Sequence, residues 1–408
     1  MQSIPVDAGL ALLVAPCLVS LAAYGLAWSL AIGWLAANAV RRRRRDDPRP
    51  PAGAPATGLT ILKPLCGIDE ELEANLASFF ELEHEPLQLV FGAASPDDPA
   101  LAIARRLARK HPGRDVTIVA AADPAVPNPK IGLMESLLPH ARHGIVLLSD
   151  SNVRVTTDEA RRVLPDFADP TVGMVYQPVV AVGERTVPAA VENLHYTEYA
   201  AFLTIGARIL AGQHTVNAKG QWVRREALAA VGNFTGVRDC GADDYALAEL
   251  VRRAGWGLRP ATAMVHVVQR HWSWKSFVLR NLRHAGLRWR ICPWAYPLEL
   301  LFNPIPWTLP LLAAGRLDVA AVAAAVVAAK LLLELSATRL LRGVELAWRF
   351  VPVIPLKDLV IFGCWFIALF ARTATWRDRT YRLCPGGRIE PLLPVPAVGP
   401  APALKSAA

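Results

Sequence analysis

The chain is 408 residues long, 53% of them apolar, and its 44 lysines and arginines exceed its 35 acidic residues to give a net charge of +9. That length holds a large globular core together with membrane segments, and the apolar share lies above that of ordinary soluble proteins. Six cysteines without paired spacing argue against a zinc ribbon or a disulfide framework, and basic residues clustered beside apolar runs point to membrane flanks, not to nucleic acid.

Residues 8–40 form a nearly uncharged apolar run that ends at five consecutive arginines, 41–45. About 20 helical residues rising ~1.5 Å each cross the hydrocarbon, so this run spans it. A cleaved leader would carry its charges ahead of a shorter apolar region. The run therefore reads as a retained anchor, and the arginines put the chain beyond them on the cytosolic side. A basic, proline-rich linker occupies 41–58, and 59–271 have the composition of a soluble domain. Residues 272–292 read as an interfacial amphipathic segment, and 293–372 are apolar again. In that region 319–333, extendable to 341 and interrupted by Lys330, and 356–371 are expected as two spans. The stretch 297–314 holds Pro297, Pro304, Pro306 and Pro310 and reads as kinked or re-entrant. Residues 373–408 are expected as a tail.

Within the middle region, short apolar strands are expected at 59–62, 87–91, 116–120 and 144–148. Helical stretches separate them, one with Leu72, Leu76, Phe79 and Phe80 on a single face and another over 101–110. This alternation predicts an α/β, Rossmann-like domain with a mostly parallel sheet and ligands beyond the carboxyl ends of its strands. Asp98 and Asp150 each fall just after such a strand, where a nucleotide would sit. A carboxylate at Asp150 suits a divalent metal, Mg²⁺ or Mn²⁺, against a diphosphate, although alone it is equally a turn cap. Asp243 and Asp244 open a helical run, an electropositive place for a carboxylate, and adjacent carboxylates raise one another's pKa.

The ordered set LTILKPLCGIDEELEANLASFFELEHEPLQLVFG, SPDDPA, NPKIGLM, IVLLSDSNVRV, GADDYALAELVRRAGW, RNLRHAGLRWR and WRDRTYRLCPGG resembles the ceramide glucosyltransferase family over nearly the whole chain. The resemblance implies an inverting transfer of a hexose, glucose from UDP-glucose, onto the hydroxyl of a membrane lipid, ceramide. It implies that Asp98 contacts the nucleoside part of the donor, Lys130 its phosphate, and Asp150 both the donor and a divalent metal. Asp244 is then the general base. The family's last motif, Gln/Arg-x-x-Arg-Trp, falls on Arg280, Arg283 and His284, so that two arginines stabilise the departing diphosphate and His284 stands near the acceptor in place of tryptophan. A second register through Arg288 and Trp289 puts Ala285 at the motif's first position.

Two departures, Asn152 in an expected Asp-x-Asp and His284, keep other lipid acceptors open, for instance a hopanoid or diacylglycerol. The arginines and tryptophans of 272–292 also suit a membrane interface without chemistry. A rival of another class is a nucleotide-binding transporter or membrane scaffold; a processive polysaccharide synthase would need more spanning helices. The expected partners are a nucleotide-sugar donor, a lipid acceptor and a membrane, with no nucleic acid. The sequence is silent on oligomeric state.

Overall fold

A computed structural model describes residues 8–44, 57–120, 126–376 and 379–393. Most of the expected linker (45–56) and the end of the expected tail (394–408) lie outside the described residues, as does Arg45 of the arginine run.

The chain opens with α1 (Ala8–Arg44). The α/β region follows as β1 (Leu59–Pro64), α2 (Leu72–Phe80), β2 (Leu87–Ala93), α3 (Pro99–Lys110), β3 (Asp115–Ala120), α4 (Pro129–Leu137), β4 (Ile145–Leu148), β5 (Val153–Arg154), α5 (Glu159–Val163), β6 (Val172–Tyr176) and β7 (Val179–Val182). Next come α6 (Val187–Tyr199), a π-helical stretch Ala200–Gly206, α7 (Ala207–Ala211), β8 (Gln221–Arg224), α8 (Arg225–Ala230), α9 (Asp243–Arg253), β9 (Gly257–Pro260) and β10 (Val265–Val268). The remainder is α10 (Trp274–Ile291), α11 (Pro304–Ala313), α12 (Leu317–Arg342), α13 (Val353–Ala368), β11 (Thr373–Trp376), β12 (Arg379–Leu383) and β13 (Ile389–Pro391).

The four strands expected from the sequence are the first four, all parallel, of a seven-stranded sheet of order β3-β2-β1-β4-β8-β6-β9, in which β8 is antiparallel to both neighbours and β6 and β9 pair in parallel. Strands such as LQLVFGA and IVLL are nearly continuous apolar runs because both faces of a parallel sheet are covered. The two-residue strand period divides them. Leu59, Ile61, Leu89 and Leu147 pack with Leu72, Leu76, Phe79 and Leu101 of α2 and α3 on one face. Leu62, Val90, Val146 and Leu148 pack with Ile131, Met134, Leu247 and Val251 of α4 and α9 on the other. Proline at the first helical position and a side-chain cap start α3 (Asp98) and α4 (Asn128), so both helices begin at the same sheet edge as the strand ends.

Among the described residues, two helices are long and apolar enough to cross a membrane, 10–38 within α1 and α12. They pack on each other, and the Tyr24 hydroxyl donates to Glu334 at 3.1 Å. With 16 residues, roughly 24 Å, α13 falls short of the ~30 Å hydrocarbon thickness. The proline-rich stretch forms a 3₁₀ segment, Tyr296–Phe302, a break at Asn303 and then α11, with Pro304 in the first turn. The beginning of the expected tail is ordered: β11, β12 and β13 form an antiparallel sheet whose Tyr381, Leu383 and Ile389 pack on Leu287 of α10.

Candidate active site

Because β8 runs antiparallel beside β4 with Leu148 opposite Gln221, the residues entering β8 pass the residues leaving β4. Lys219 thereby meets Asp150. Its Nζ lies 2.7 Å from Asp150 Oδ2 and 2.8 Å from Asn152 Oδ1. Gly220 permits this approach, since a Cβ there would sit 2.7 Å from Gln177 Oε1. From the start of α4, Lys130 Nζ reaches Asp243 Oδ2 at 2.8 Å and Asp150 Oδ1 at 3.5 Å. Lys63, fully buried at the end of β1, donates to the Asp150 carbonyl at 2.8 Å and packs over the Phe79 ring. By sequence Lys63 belongs to a turn; in the structure the strand runs through it to Pro64.

Burial alone would raise the Asp150 pKa, but the Lys130 and Lys219 ammoniums, with Lys63 behind them, outweigh it and hold the carboxyl well below the usual range. Lys130 shows the converse. Burial works against its charge, and Asp150, Asp243 and Asp244 together override that and fix it as an ammonium.

Asp244 lies in the first turn of α9. Its oxygens accept from the backbone N–H groups of Ala218 (2.9 Å) and Tyr245 (2.8 Å), and Gln221 Nε2 donates to its carbonyl at 2.9 Å. Burial first, and then the charge of Asp243, push its pKa up to about 6, against the opposing pull of Lys130 and the two N–H donors. The loop leading into α9 is braced by the C-terminal sheet, with Gly241 N donating to Gly387 O at 2.8 Å and Ile389 N to Asp239 O at 2.7 Å. Tyr196 hydrogen-bonds Asn217 and lies within electrostatic reach of both Asp150 and Asp244.

Helix α10 carries the arginine motif along this site. Arg280 pairs with the buried Glu192, lies 4.3 Å over the Tyr196 ring, and feels the charge of Asp150. Arg283 stacks on Trp376 of β11 at 4.9 Å. Burial and then the neighbouring Arg280 and Arg283 depress the His284 pKa far below its ordinary value, so its imidazole is neutral; the charge of Lys219 also reaches it. Arg288, of the second register, is clamped bidentately by Glu299 at 2.7 and 3.0 Å.

Asp98 is placed differently from the others. It accepts from Gly67 N at 2.9 and 3.1 Å and from Ala100 N at 2.9 Å, which caps α3 and pins the left-handed turn at Gly67 (φ 66°) after β1. Its carboxylate is thereby held against the turn that follows β1, the strand paired directly with β4, and Asp69 in that turn accepts from the Ser151 hydroxyl next to Asp150. The structure thus brings together Asp150, Lys130, Asp244, Arg280 and His284, and ties Asp98 to the neighbouring β1 turn with its oxygens given to backbone N–H groups. Sequence reasoning missed Lys219 and Lys63, the two lysines closest to Asp150 and its carbonyl.

The donor set suits a cation: Asp150 Oδ2 and Asn152 Oδ1 converge on one point, which the Lys219 ammonium fills. A divalent ion with oxygen preference would take these two oxygens and complete its shell from donor phosphates. Among the described residues, a different carboxylate triplet, Glu198, Glu334 and Asp358, is compact enough for a metal. Lys357 lies 2.6, 2.9 and 3.1 Å from those three, and Lys330 lies 2.5 Å from Asp358. Two ammoniums already supply that triplet's positive charge.

The sequence profile of Glycosyl transferase family 21 matches residues 18–389. Ceramide glucosyltransferase 1 of Caenorhabditis elegans is 35% identical over 101 residues, 25% of this chain and 22% of that protein. The ceramide glucosyltransferase of Komagataella phaffii is 32% identical over 124 residues, 29% of this chain and 24% of that one. The chain is thus matched over only about a quarter of these relatives' length. In fold, it is similar to the mannosyltransferase PcManGT from Pyrobaculum calidifontis, solved with GDP-Man and Mn²⁺, at 19% identity and a TM-score of 0.50, covering 87% of this chain and 99% of that one. With the family match running over the sheet, the carboxylate–lysine site and the arginine helix, the chain belongs to glycosyl transferase family 21.

Proposed function

We propose that this enzyme moves a hexose, glucose from UDP-glucose, onto the primary hydroxyl of a membrane lipid, ceramide, with inversion at the anomeric carbon. The names of the curated relatives support the acceptor and sugar. Residues 59–271 form the catalytic domain, facing the cytosol, with α1 and α12 holding it to the membrane. In the transfer, the acceptor oxygen attacks the anomeric carbon, the carbon–oxygen bond to the diphosphate breaks, and Asp244 takes the hydroxyl proton. A carboxylate with a pKa near 6 is ionised at neutral pH and is more basic than an ordinary aspartate.

The observation that carries this reading is the Lys130 ammonium between Asp150 and Asp243, which joins the donor edge of the sheet to the helix bearing Asp244. Lys130 and Lys219 face Asp150, Asp243 and Asp244, and burial draws the pKa of Lys63 well down, so an entering diphosphate needs more positive charge than these groups leave over. Arg283 supplies part of it, and a divalent ion bound by Asp150 and Asn152 would supply the rest. Asp98 supports the donor by fixing the Gly67 turn, and His284, neutral and beside both arginines, stands toward the acceptor.

Incubation of the purified full chain with radiolabelled UDP-sugars and a lipid panel, read by chromatography, tests this. A single glycosylated lipid is expected, lost in Asp244→Asn and Asp150→Ala. No product with any lipid defeats the proposal and leaves the nucleotide-binding scaffold, and activity that survives both substitutions defeats the assignment of Asp150 and Asp244.

A further inference from the structure

Lys219 stands where a metal would. Its Nζ lies 2.7 Å from Asp150 Oδ2 and 2.8 Å from Asn152 Oδ1. A small divalent ion sits about 2.1 Å from its oxygen ligands, so ion and ammonium occupy the same point and exclude each other by space and by charge. The ammonium is well seated, with the Lys219 side chain 11% exposed. The oxygens around it favour it over a bare ion, because Asn152 brings an oxygen without charge. A carboxylate beside an amide leaves a divalent ion short of ligands until phosphates complete its shell.

Little of the displacement can fall on the backbone. The entry to β8 is pinned on both sides of Lys219, where Ala218 N donates to Asp244 at 2.9 Å and Gln177 N donates to the Gly220 carbonyl at 2.9 Å. Movement is left to the flexible four-carbon stem of the lysine. Among the described residues, Asp150 is the only carboxylate in ion-pair range of the Lys219 ammonium. Asp243 is held by Lys130 at 2.8 Å, and the Asp244 oxygens by the N–H groups of Ala218 and Tyr245. Lys63 and His284 both feel the Lys219 charge, and Arg280 and Arg283 act on His284 in the same sense, so the far side is already cationic. An ammonium driven off Asp150 therefore finds its counter-charge in an anion that enters from outside. The donor diphosphate is such an anion.

We infer that Lys219 is a resident cation that fills the metal point and yields it only to metal and diphosphate together, passing from Asp150 and Asn152 to the diphosphate. The inference deepens the proposed transferase reading and rests on it. Metal alone must expel the lysine with nothing to receive it, and binds weakly. With diphosphate present the lysine is received, and metal binds tightly. Coupling of this kind is reciprocal: the factor by which nucleotide tightens metal is the factor by which metal tightens nucleotide.

Two measurements on the detergent-solubilised full chain test this. One is Mn²⁺ binding without nucleotide, read by electron paramagnetic resonance. The other is the factor by which saturating Mn²⁺ tightens binding of tritiated UDP, read by equilibrium dialysis. In the parent that factor is expected to be about thirtyfold or more. Lys219→Met, which empties the metal point, should bind Mn²⁺ alone about tenfold more tightly, and Mn²⁺ should then tighten UDP by only about a tenth of the parent's factor. Lys219→Arg, which keeps a cation at that point, should hold both quantities within about threefold of the parent, so that charge and not packing of the stem is responsible. The inference is overturned if Lys219→Met leaves both quantities unchanged, if the two variants behave alike, or if the parent binds UDP equally well with and without Mn²⁺. A parent that binds no UDP under either condition refutes the transferase reading and takes this inference with it.

Discussion

Replacing Asp244 by asparagine is expected to abolish transfer and yet to stabilise the protein at neutral pH, with a sign that changes as the pH falls. In the unfolded chain this carboxyl loses its proton near the ordinary 3.8, and in the folded chain near 6. Between those values the folded state holds the extra proton, so stability falls as pH rises through the window and stays lower above it. About two pH units at 1.36 kcal/mol each amount to roughly 3 kcal/mol, which partial exposure of the side chain reduces to about 2. Asparagine escapes that cost but keeps only one oxygen for the two donors, Ala218 N and Tyr245 N, at a loss of about 1 kcal/mol. The variant should therefore be about 1 kcal/mol more stable than the parent above pH 7 and about 1 kcal/mol less stable below pH 4. Thermal unfolding in detergent at a series of pH values reads this as a difference of a few degrees that reverses sign; other carboxylates titrate alike in both proteins and cancel. Loss of turnover by about two to four orders of magnitude should accompany it. A variant that is less stable at every pH by a constant amount would refute the claim that Asp244 is a strained, base-like carboxylate.

Lys219→Met should tighten Mn²⁺ binding by about tenfold in electron paramagnetic resonance titrations, because the ammonium that competes for Asp150 and Asn152 is gone. Unchanged affinity would mean that the ion binds elsewhere. Asp98→Ala should cost about 2 kcal/mol in unfolding through the lost cap and the freed Gly67 N–H, whereas Asp98→Asn, which keeps an acceptor, should cost less. If both weaken UDP binding equally, the carboxylate charge itself acts on the donor. Lys330→Met, at a fully buried position, should destabilise the chain by about 3–5 kcal/mol by leaving Glu198, Glu334 and Asp358 to Lys357 alone, read as a loss of the folded fraction in detergent.

The parallel half of the sheet was legible because its strands are buried on both faces and so appear as uninterrupted apolar runs after turn residues. The other half was not. β6, β8 and β9 are four or five residues each, and β8 joins by antiparallel pairing that brings together residues 69 apart in the chain, a choice that no local pattern encodes. That hidden pairing is why Lys219 escaped notice, for nothing around Asn217–Gly220 signals a site until β8 is laid beside β4. Lys63 was hidden for a different reason: a lysine followed by proline reads as a turn, and only its burial beside the Asp150 carbonyl reveals it as part of the site. Asp244 stood out as a candidate because the adjacent acids at a helix start are local in sequence. The strands β12 and β13 at the start of the expected tail were not legible because their partners are Leu287 and the 239–241 loop, far upstream.

The two readings of 272–292, a chemical motif and an interfacial helix, are reconciled by the geometry of α10. At about 100° per residue, Arg280, Arg283 and His284 share one stripe, and Asn281, Ala285 and Arg288 share the neighbouring one. The first stripe feels Asp150 and Lys219; the second lines a cavity with Tyr199 and Trp365. A rigid helix of 18 residues thus fixes the separation between the Asp150–Lys219 cluster and that cavity without any loop to adjust it. Asn281 ties the stripes together, since its amide donates to the same Glu192 that holds Arg280. A shift of α10 that loosened the arginines from the donor would also deform the cavity. UDP affinity, read by equilibrium binding, should therefore fall in variants of Glu192, which holds Arg280, and hold steady in variants of Leu203, which lines only the cavity.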